Sequence, residues 1–192
     1  TALIVIRYNQ SATPLPDTIT LPAGAYVMSI AGKDDTCAAG DLDILGDLTI
    51  VGAGSGVTTF NALRHSGARP GDVVAIQCVG GLGHLALQYA NRMGFHTVAL
   101  SRGKDKEELA RDLGAHAYVD SETEDEVEEL QKLGGADVIL ATAPSGKAIE
   151  GVLNGLSGRG KLMIVAAAPD PISVGAMGML SGKTIHGWPS GS

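Results

Sequence analysis

From Thr58 onward, short apolar runs alternate with stretches in which apolar residues recur every three or four positions. The runs at 73–77, 97–100, 116–119, 138–140, 162–166 and 184–186 have the length and β-branched content of strands. Between them, residues 58–66, 105–113, 122–133 and 147–156 read as helices. Another is marked by Leu82, Leu85, Ala86, Tyr89, Ala90 and Met93, which fall on one face at i, i+3, i+4, i+7, i+8 and i+11. Gly67, Gly94 and Gly114 stand where three of these helices should stop, and Pro70-Gly71 supplies a turn. Strands that alternate with helices imply right-handed crossovers and a parallel sheet, and six strands complete a doubly wound α/β sheet.

The first 56 residues follow another pattern. Gly40-Asp41-Leu42-Asp43-Ile44 is echoed by Gly46-Asp47-Leu48-Thr49-Ile50, and apolar and polar residues alternate between glycines. This predicts short strands and turns, with no long helix before Thr58. Two copies are fewer than the three or more units a stacked repeat needs to bury a core. Residues 1–56 are therefore expected to be a strand- and turn-rich segment that is not an independent domain, and 57–192 the folded domain.

A hydrophobic fraction of 44% with 27 glycines suits an Ala/Val/Leu/Gly-rich α/β domain. Fourteen basic residues against 21 acidic ones leave a net charge of −7, which argues against nucleic acid as a partner. No apolar run approaches the roughly 20 residues of a membrane span. Without a signal peptide in the sequence, the expected location is cytoplasmic. Cys37 and Cys78 are the only cysteines, and the five histidines show no i, i+4 pair, so no metal-ligand spacing stands out. Gly146-Lys147 and Gly182-Lys183-Thr184 fail as nucleoside-triphosphate loops, because Ala141, Ala148 and Met177 occupy positions that the motif requires to be Gly or Ser/Thr.

Candidate chemistry concentrates at Cys78-Val79-Gly80-Gly81-Leu82-Gly83, between the 73–77 strand and a helix. A glycine-rich turn there brings backbone N–H groups and the positive end of the helix dipole toward an anion such as a dinucleotide pyrophosphate. In the pattern G-x-G-x-x-G, Gly80 and Gly83 fill the second and third glycine positions, and Cys78 occupies the first. A side chain at that point should crowd the turn and weaken affinity more than fold, so Cys78→Gly is expected to bind a dinucleotide more tightly. The bland alternative for the glycines is a turn that serves only close packing. For Cys78 the choice lies between a small strand-end residue and a thiol activated at a helix start.

Gly56-Val57-Thr58-Thr59-Phe60-Asn61-Ala62-Leu63, Ala68-Arg69-Pro70-Gly71-Asp72, Gly80-Gly81-Leu82-Gly83-His84-Leu85, Leu113-Gly114-Ala115 and Gly160-Lys161-Leu162 together resemble the cofactor domain of zinc-type, medium-chain alcohol dehydrogenases. The resemblance runs from about residue 56 to 192 and implies a Rossmann fold and an oxidoreductase ancestry of hydride transfer between alcohol or aldehyde and NADP(H) or NAD(H). The glycine turn, the strand ends and this resemblance together give the expected cofactor-binding residues as Thr58, Gly80, Gly81, Leu82, Gly83, Ser101, Arg102, Thr142, Ala143, Val165 and Ala166. Separately, residues 17–26 and the Gly-Asp-Leu repeat resemble the first rungs of bacterial surface parallel β-helices. The sequence thus reads as a fusion joined near residues 52–59.

An NAD site carries Asp or Glu at the end of the second strand, to hold the ribose 2′-hydroxyl. Here Ser101 and Arg102 stand there, groups suited to a phosphate, so NADP is the expected cofactor and NAD the alternative. The family's catalytic zinc is held by Cys and His. One ligand position of that family corresponds here to Gly54, and residues 1–56 do not resemble the zinc-bearing catalytic domain. Zinc is therefore not expected, and no catalytic residue is assigned. Two further readings stay open: a non-enzymatic structural or interaction module that forms a homo-oligomer through a strand edge, and an NADPH-sensing domain.

Overall fold

The computed structural model describes residues 17–21 and 48–188, with side chains from Gly56 onward. Strand β1 (Asp17–Leu21) pairs in parallel with β2 (Leu48–Gly52), Asp17 opposite Leu48. β2 contains the second copy of the Gly-Asp-Leu repeat from its Leu onward; the first copy and residues 22–26 of the β-helix resemblance lie outside the described residues.

The remaining elements are α1 (Ala53–His65), β3 (Val73–Gln77), α2 (Gly83–Arg92), β4 (His96–Ser101), α3 (Glu107–Asp112), β5 (Ala117–Asp120), α4 (Glu126–Lys132), β6 (Ala136–Ala141), α5 (Gly146–Val152), β7 (Leu156–Ile164), α6 (Ala176–Met179) and β8 (Thr184–Gly187). Their six strands form one sheet in the order β5-β4-β3-β6-β7-β8, parallel throughout. This is the doubly wound α/β sheet expected from the alternation of strands and helices, with its order reversing between β3 and β6.

Alternation along each strand divides the core in two. Val74, Ile76, Ala99, Val138, Leu140 and Met163 face α1–α3, where Leu63, Leu87, Ala90 and Ala110 meet them. Ala75, Val98, Leu100, Ile139, Ala141 and Leu162 face the other way, onto Leu130 of α4 and Ile149 and Val152 of α5. Strands buried on both sides read as continuous apolar runs, which is why their centres were visible in sequence.

Several boundaries differ from expectation for local reasons. Helix α1 begins at Ala53, five residues before the expected start, so position 56/57 falls inside it. The buried stripe of α2 is Gly83, Ala86, Leu87 and Ala90, a rotation from the expected face that brings small residues against the sheet. Helix α4 begins at Glu126 because Asp125 caps it, its carboxylate accepting from the Val127 and Glu128 amides. Strand β7 begins at Leu156 rather than 162, and the β6–β7 register slips between Ala136 and Val138. At that slip a Cβ on Gly160 would lie 2.7 Å from the Ala136 carbonyl oxygen, so the strand can approach there only without a side chain.

Candidate functional site

The strand order reverses between β3 and β6, and open α/β sheets take ligands in the crevice that such a reversal leaves at the carboxyl ends of the strands. The sequence-selected residues arrive there from separate elements: Gly80–Gly83 after β3, Ser101 and Arg102 at the end of β4, Thr142 and Ala143 after β6, and Val165 and Ala166 after β7.

The turn after β3 has the geometry of a glycine turn with a cysteine in it. Cys78 adopts φ +70°, the left-handed region that L side chains disfavour. Its side chain is buried in a small cluster with Ala143, and its amide donates to the Leu100 carbonyl at 2.8 Å. The Thr142 hydroxyl donates back to the carbonyls of Gln77 (2.6 Å) and Cys78 (3.1 Å) at the end of β3. Gly83 stands against that second carbonyl so closely that a Cβ would lie 1.9 Å from the oxygen. The third glycine is thus required by helix–turn packing. Gly81 is different: nothing lies within 4 Å of where its Cβ would be.

Helix α2 starts after Leu82, which offers no side-chain cap. Helix α5, by contrast, has Ser145 Oγ accepting from the Ala148 amide and the Asp170 carboxylate accepting from the Lys147 amide. His84, in the first turn of α2, sits with Nδ1 3.1 Å from the Gly81 carbonyl. Burial pulls its pKa below the ordinary histidine value, opposed by the Gly81 and Gly80 backbone.

At the end of β4, the Ser101 hydroxyl is buried and meets no hydrogen-bond partner among the described residues. The Tyr118 hydroxyl, which lies beside it, donates to the Gly103 carbonyl (2.5 Å). Burial pushes the Tyr118 phenol up to about 12, with the nearby Ser101 hydroxyl acting in the opposite direction. Arg102 Nε pairs with Glu122 Oε1 at 2.6 Å, both side chains partly exposed.

Asp120, at the end of β5, ties these loops together. Its Oδ1 accepts from the amides of Gly103 (2.7 Å) and Glu122 (3.0 Å), and its Oδ2 from the Thr123 hydroxyl (3.2 Å). Chiefly the Glu122 amide, with the Gly103 amide and Thr123 adding to it, holds the carboxyl below the ordinary carboxylate range. A depressed folded-state pKa gives stability that is present above the unfolded value of 3.8 and lost as pH falls through the folded one. Asp120→Asn keeps the shape and removes the charge, so its stability should change less than wild type between pH 5 and about pH 3, measured by urea denaturation at each pH. Equal acid sensitivity in both proteins would contradict this role.

Thr58 is buried in α1, whose Phe60 ring meets Tyr89 of α2 edge to face at 5.6 Å. The amide of Val165 extends the ladder past β7 by donating to the Ala141 carbonyl at 3.1 Å. Sequence reasoning missed Asp120, Tyr118 and Glu122, which shape the loop carrying Ser101 and Arg102. An Asp closing a strand just before Ser121-Glu122-Thr123 was the available signal, since such a carboxylate readily takes the amides that follow it. Gln77 was missed too: its Nε2 donates to the Ala148 carbonyl at 2.8 Å, while its buried Oε1 has no partner among the described residues.

Among the described residues, no group of three or more His, Cys, Asp and Glu side chains could hold a metal ion. Nor is any described helix long and apolar enough to cross a membrane.

A doubly wound sheet with a glycine turn opening a helix at its order reversal defines a dinucleotide-binding domain. The family model of zinc-binding dehydrogenases matches residues 81–192. Alcohol dehydrogenase patD of Penicillium expansum is 52% identical over 138 residues, which cover 71% of this chain and 40% of that protein. An alcohol dehydrogenase of Geobacillus stearothermophilus is 40% identical over 121 residues, 62% of this chain and 36% of that protein. Among solved structures, the alcohol dehydrogenase of Aeropyrum pernix superposes with a TM-score of 0.68 at 28% identity, over 73% of this chain and 42% of that one. A zinc-binding dehydrogenase of Sinorhizobium meliloti, solved bound to NADP, shares the fold with a TM-score of 0.65 at 24% identity, over 70% of this chain and 42% of that one.

The chain belongs to the zinc-binding dehydrogenase family and carries the cofactor-binding domain of zinc-type alcohol dehydrogenases. It spans about two fifths of the length of the Penicillium relative.

Proposed function

We propose that residues 57–192 bind NADP(H) in preference to NAD(H), in the crevice between β3 and β6, and serve hydride transfer between an alcohol and its aldehyde. The observation that carries the preference is the pair Ser101-Arg102 at the end of β4, a buried hydroxyl followed in sequence by a guanidinium, where an NAD site would hold a carboxylate. A hydroxyl can donate to a phosphate oxygen, and a guanidinium can pair with it.

In this reading Gly80, Gly81, Leu82 and Gly83 hold the pyrophosphate with backbone amides and the uncapped start of α2, while Gly81 leaves room for close approach. Ser101 and Arg102 receive the 2′-phosphate. Thr142, Ala143, Val165 and Ala166 are assigned to the part of the crevice beyond, and Thr58, buried in α1, to the nicotinamide end. When bound, the dinucleotide supplies the hydride chemistry; the chain's own residues bind and orient it. The described part of the chain does not fit a catalytic zinc, and no step is assigned to one.

Fluorescence titration of the chain with NADPH and NADH tests the proposal. NADPH should bind about tenfold more tightly, the scale of one charge-assisted contact to a phosphate. Tighter binding of NADH would overturn the preference. Absence of binding by either at millimolar concentration would favour the non-enzymatic alternative, in which the sheet is only a scaffold.

A further inference from the structure

A guanidinium that already holds a carboxylate is not equally available to every ligand. Arg102 meets Glu122 with Nε–Oε1 of 2.6 Å, and the meeting is built by backbone. Oδ1 of Asp120 accepts from both the Gly103 and Glu122 amides, so the loops following β4 and β5 are fastened to one atom. Tyr118 fixes the Gly103 carbonyl from the same side. Gly103, at φ +79°, is itself a position where an added Cβ would lie 2.6 Å from Asp105 Oδ1 and 3.9 Å from Glu122 Oε2. The Glu122 carboxylate is therefore held at the rim of the loop that carries Ser101 and Arg102. With 37% and 45% of their side chains exposed, Arg102 and Glu122 can exchange partners without unfolding anything.

We propose that Glu122 is a specificity-determining residue, an internal anion that competes with a 2′-phosphate for Arg102 and so narrows the preference for NADP(H) over NAD(H). The inference rests on the reading of Ser101 and Arg102 as the 2′-phosphate site. A dinucleotide without the 2′-phosphate leaves the Arg102–Glu122 pair intact. One that carries it must either displace the carboxylate or sit beside it, and both oppose binding. Asp120 is a positioning residue here, because it acts only through the loops it fastens.

Glu122→Gln keeps the backbone amide that Asp120 holds and removes the charge. In titrations of the full chain with NADPH and NADH, this variant should bind NADPH about three- to tenfold more tightly, with NADH changed less than about twofold. In an Arg102→Gln background the gain should disappear. Binding of NADH reports that the variants are folded. An equal gain for both dinucleotides would overturn the inference, since that is plain relief of repulsion. Unchanged NADPH binding in Glu122→Gln, with Arg102→Gln still weakening NADPH, would overturn it while leaving the 2′-phosphate reading intact. If Arg102→Gln leaves NADPH binding unaltered, that reading itself fails and this inference falls with it.

Discussion

Gly83→Ala should lower stability by about 3 kcal/mol and weaken nicotinamide dinucleotide binding about tenfold or more, by urea denaturation and fluorescence titration respectively. The added Cβ would lie 1.9 Å from the Cys78 carbonyl oxygen and 2.9 Å from its carbon. Both are backbone atoms, so no rotamer change can relieve the contact. Either α2 lifts away from the turn or the turn moves. Lifting α2 uncovers Ala86, Leu87 and Ala90, which are fully buried against the sheet. Moving the turn breaks the hydrogen bond from the Thr142 hydroxyl to that same carbonyl. Gly81→Ala is the control: nothing lies within 4 Å of its Cβ position, so its stability should match wild type within about 0.5 kcal/mol. A Gly83→Ala protein as stable as Gly81→Ala would contradict the packing argument.

Cys78→Val should cost about 2–3 kcal/mol, because a β-branched side chain tolerates φ +70° worse than any unbranched one. Cys78→Gly should stay within about 1 kcal/mol of wild type. Relief of left-handed strain, about 1–2 kcal/mol, is offset by the freer unfolded glycine and by the loss of a buried side chain beside Ala143. Thermal denaturation of the two variants measures the contrast, and equal melting temperatures would show that the backbone at 78 carries no strain. The sequence reading assigned the cost of Cys78 to cofactor affinity. In the structure the turn already has its glycine conformation and the thiol is buried with Ala143, so β-branching at 78 should be felt in folding.

The parts of the fold legible in sequence were those set by local pattern. The doubly buried strands appear as apolar runs, and Gly67, Gly94 and Gly114 each stand at positive φ where a helix ends. The glycine turn and the strand ends of the candidate site were legible for the same reason, since spacing alone places them. What escaped was decided by partners distant in sequence. Helix α4 starts late because Asp125 caps it and because Asp120 takes the Glu122 amide. The contact between Arg102 and Glu122 joins loops 20 residues apart, and the orphaned oxygen of Gln77 depends on a helix 71 residues away. Hydropathy along the chain carries no record of such pairings.

The Thr142 hydroxyl has a consequence for which substitutions this domain can accept together. It pins the Cys78 carbonyl from the loop after β6, 64 residues further along the chain, and that pinned carbonyl is what excludes a side chain at position 83. The demand for glycine at 83 is therefore imposed partly from 142. Changes at the two positions do not contribute independently: a residue at 142 that releases the carbonyl also softens the penalty at 83. The glycine signature of the turn is, in this sense, written by both halves of the sheet.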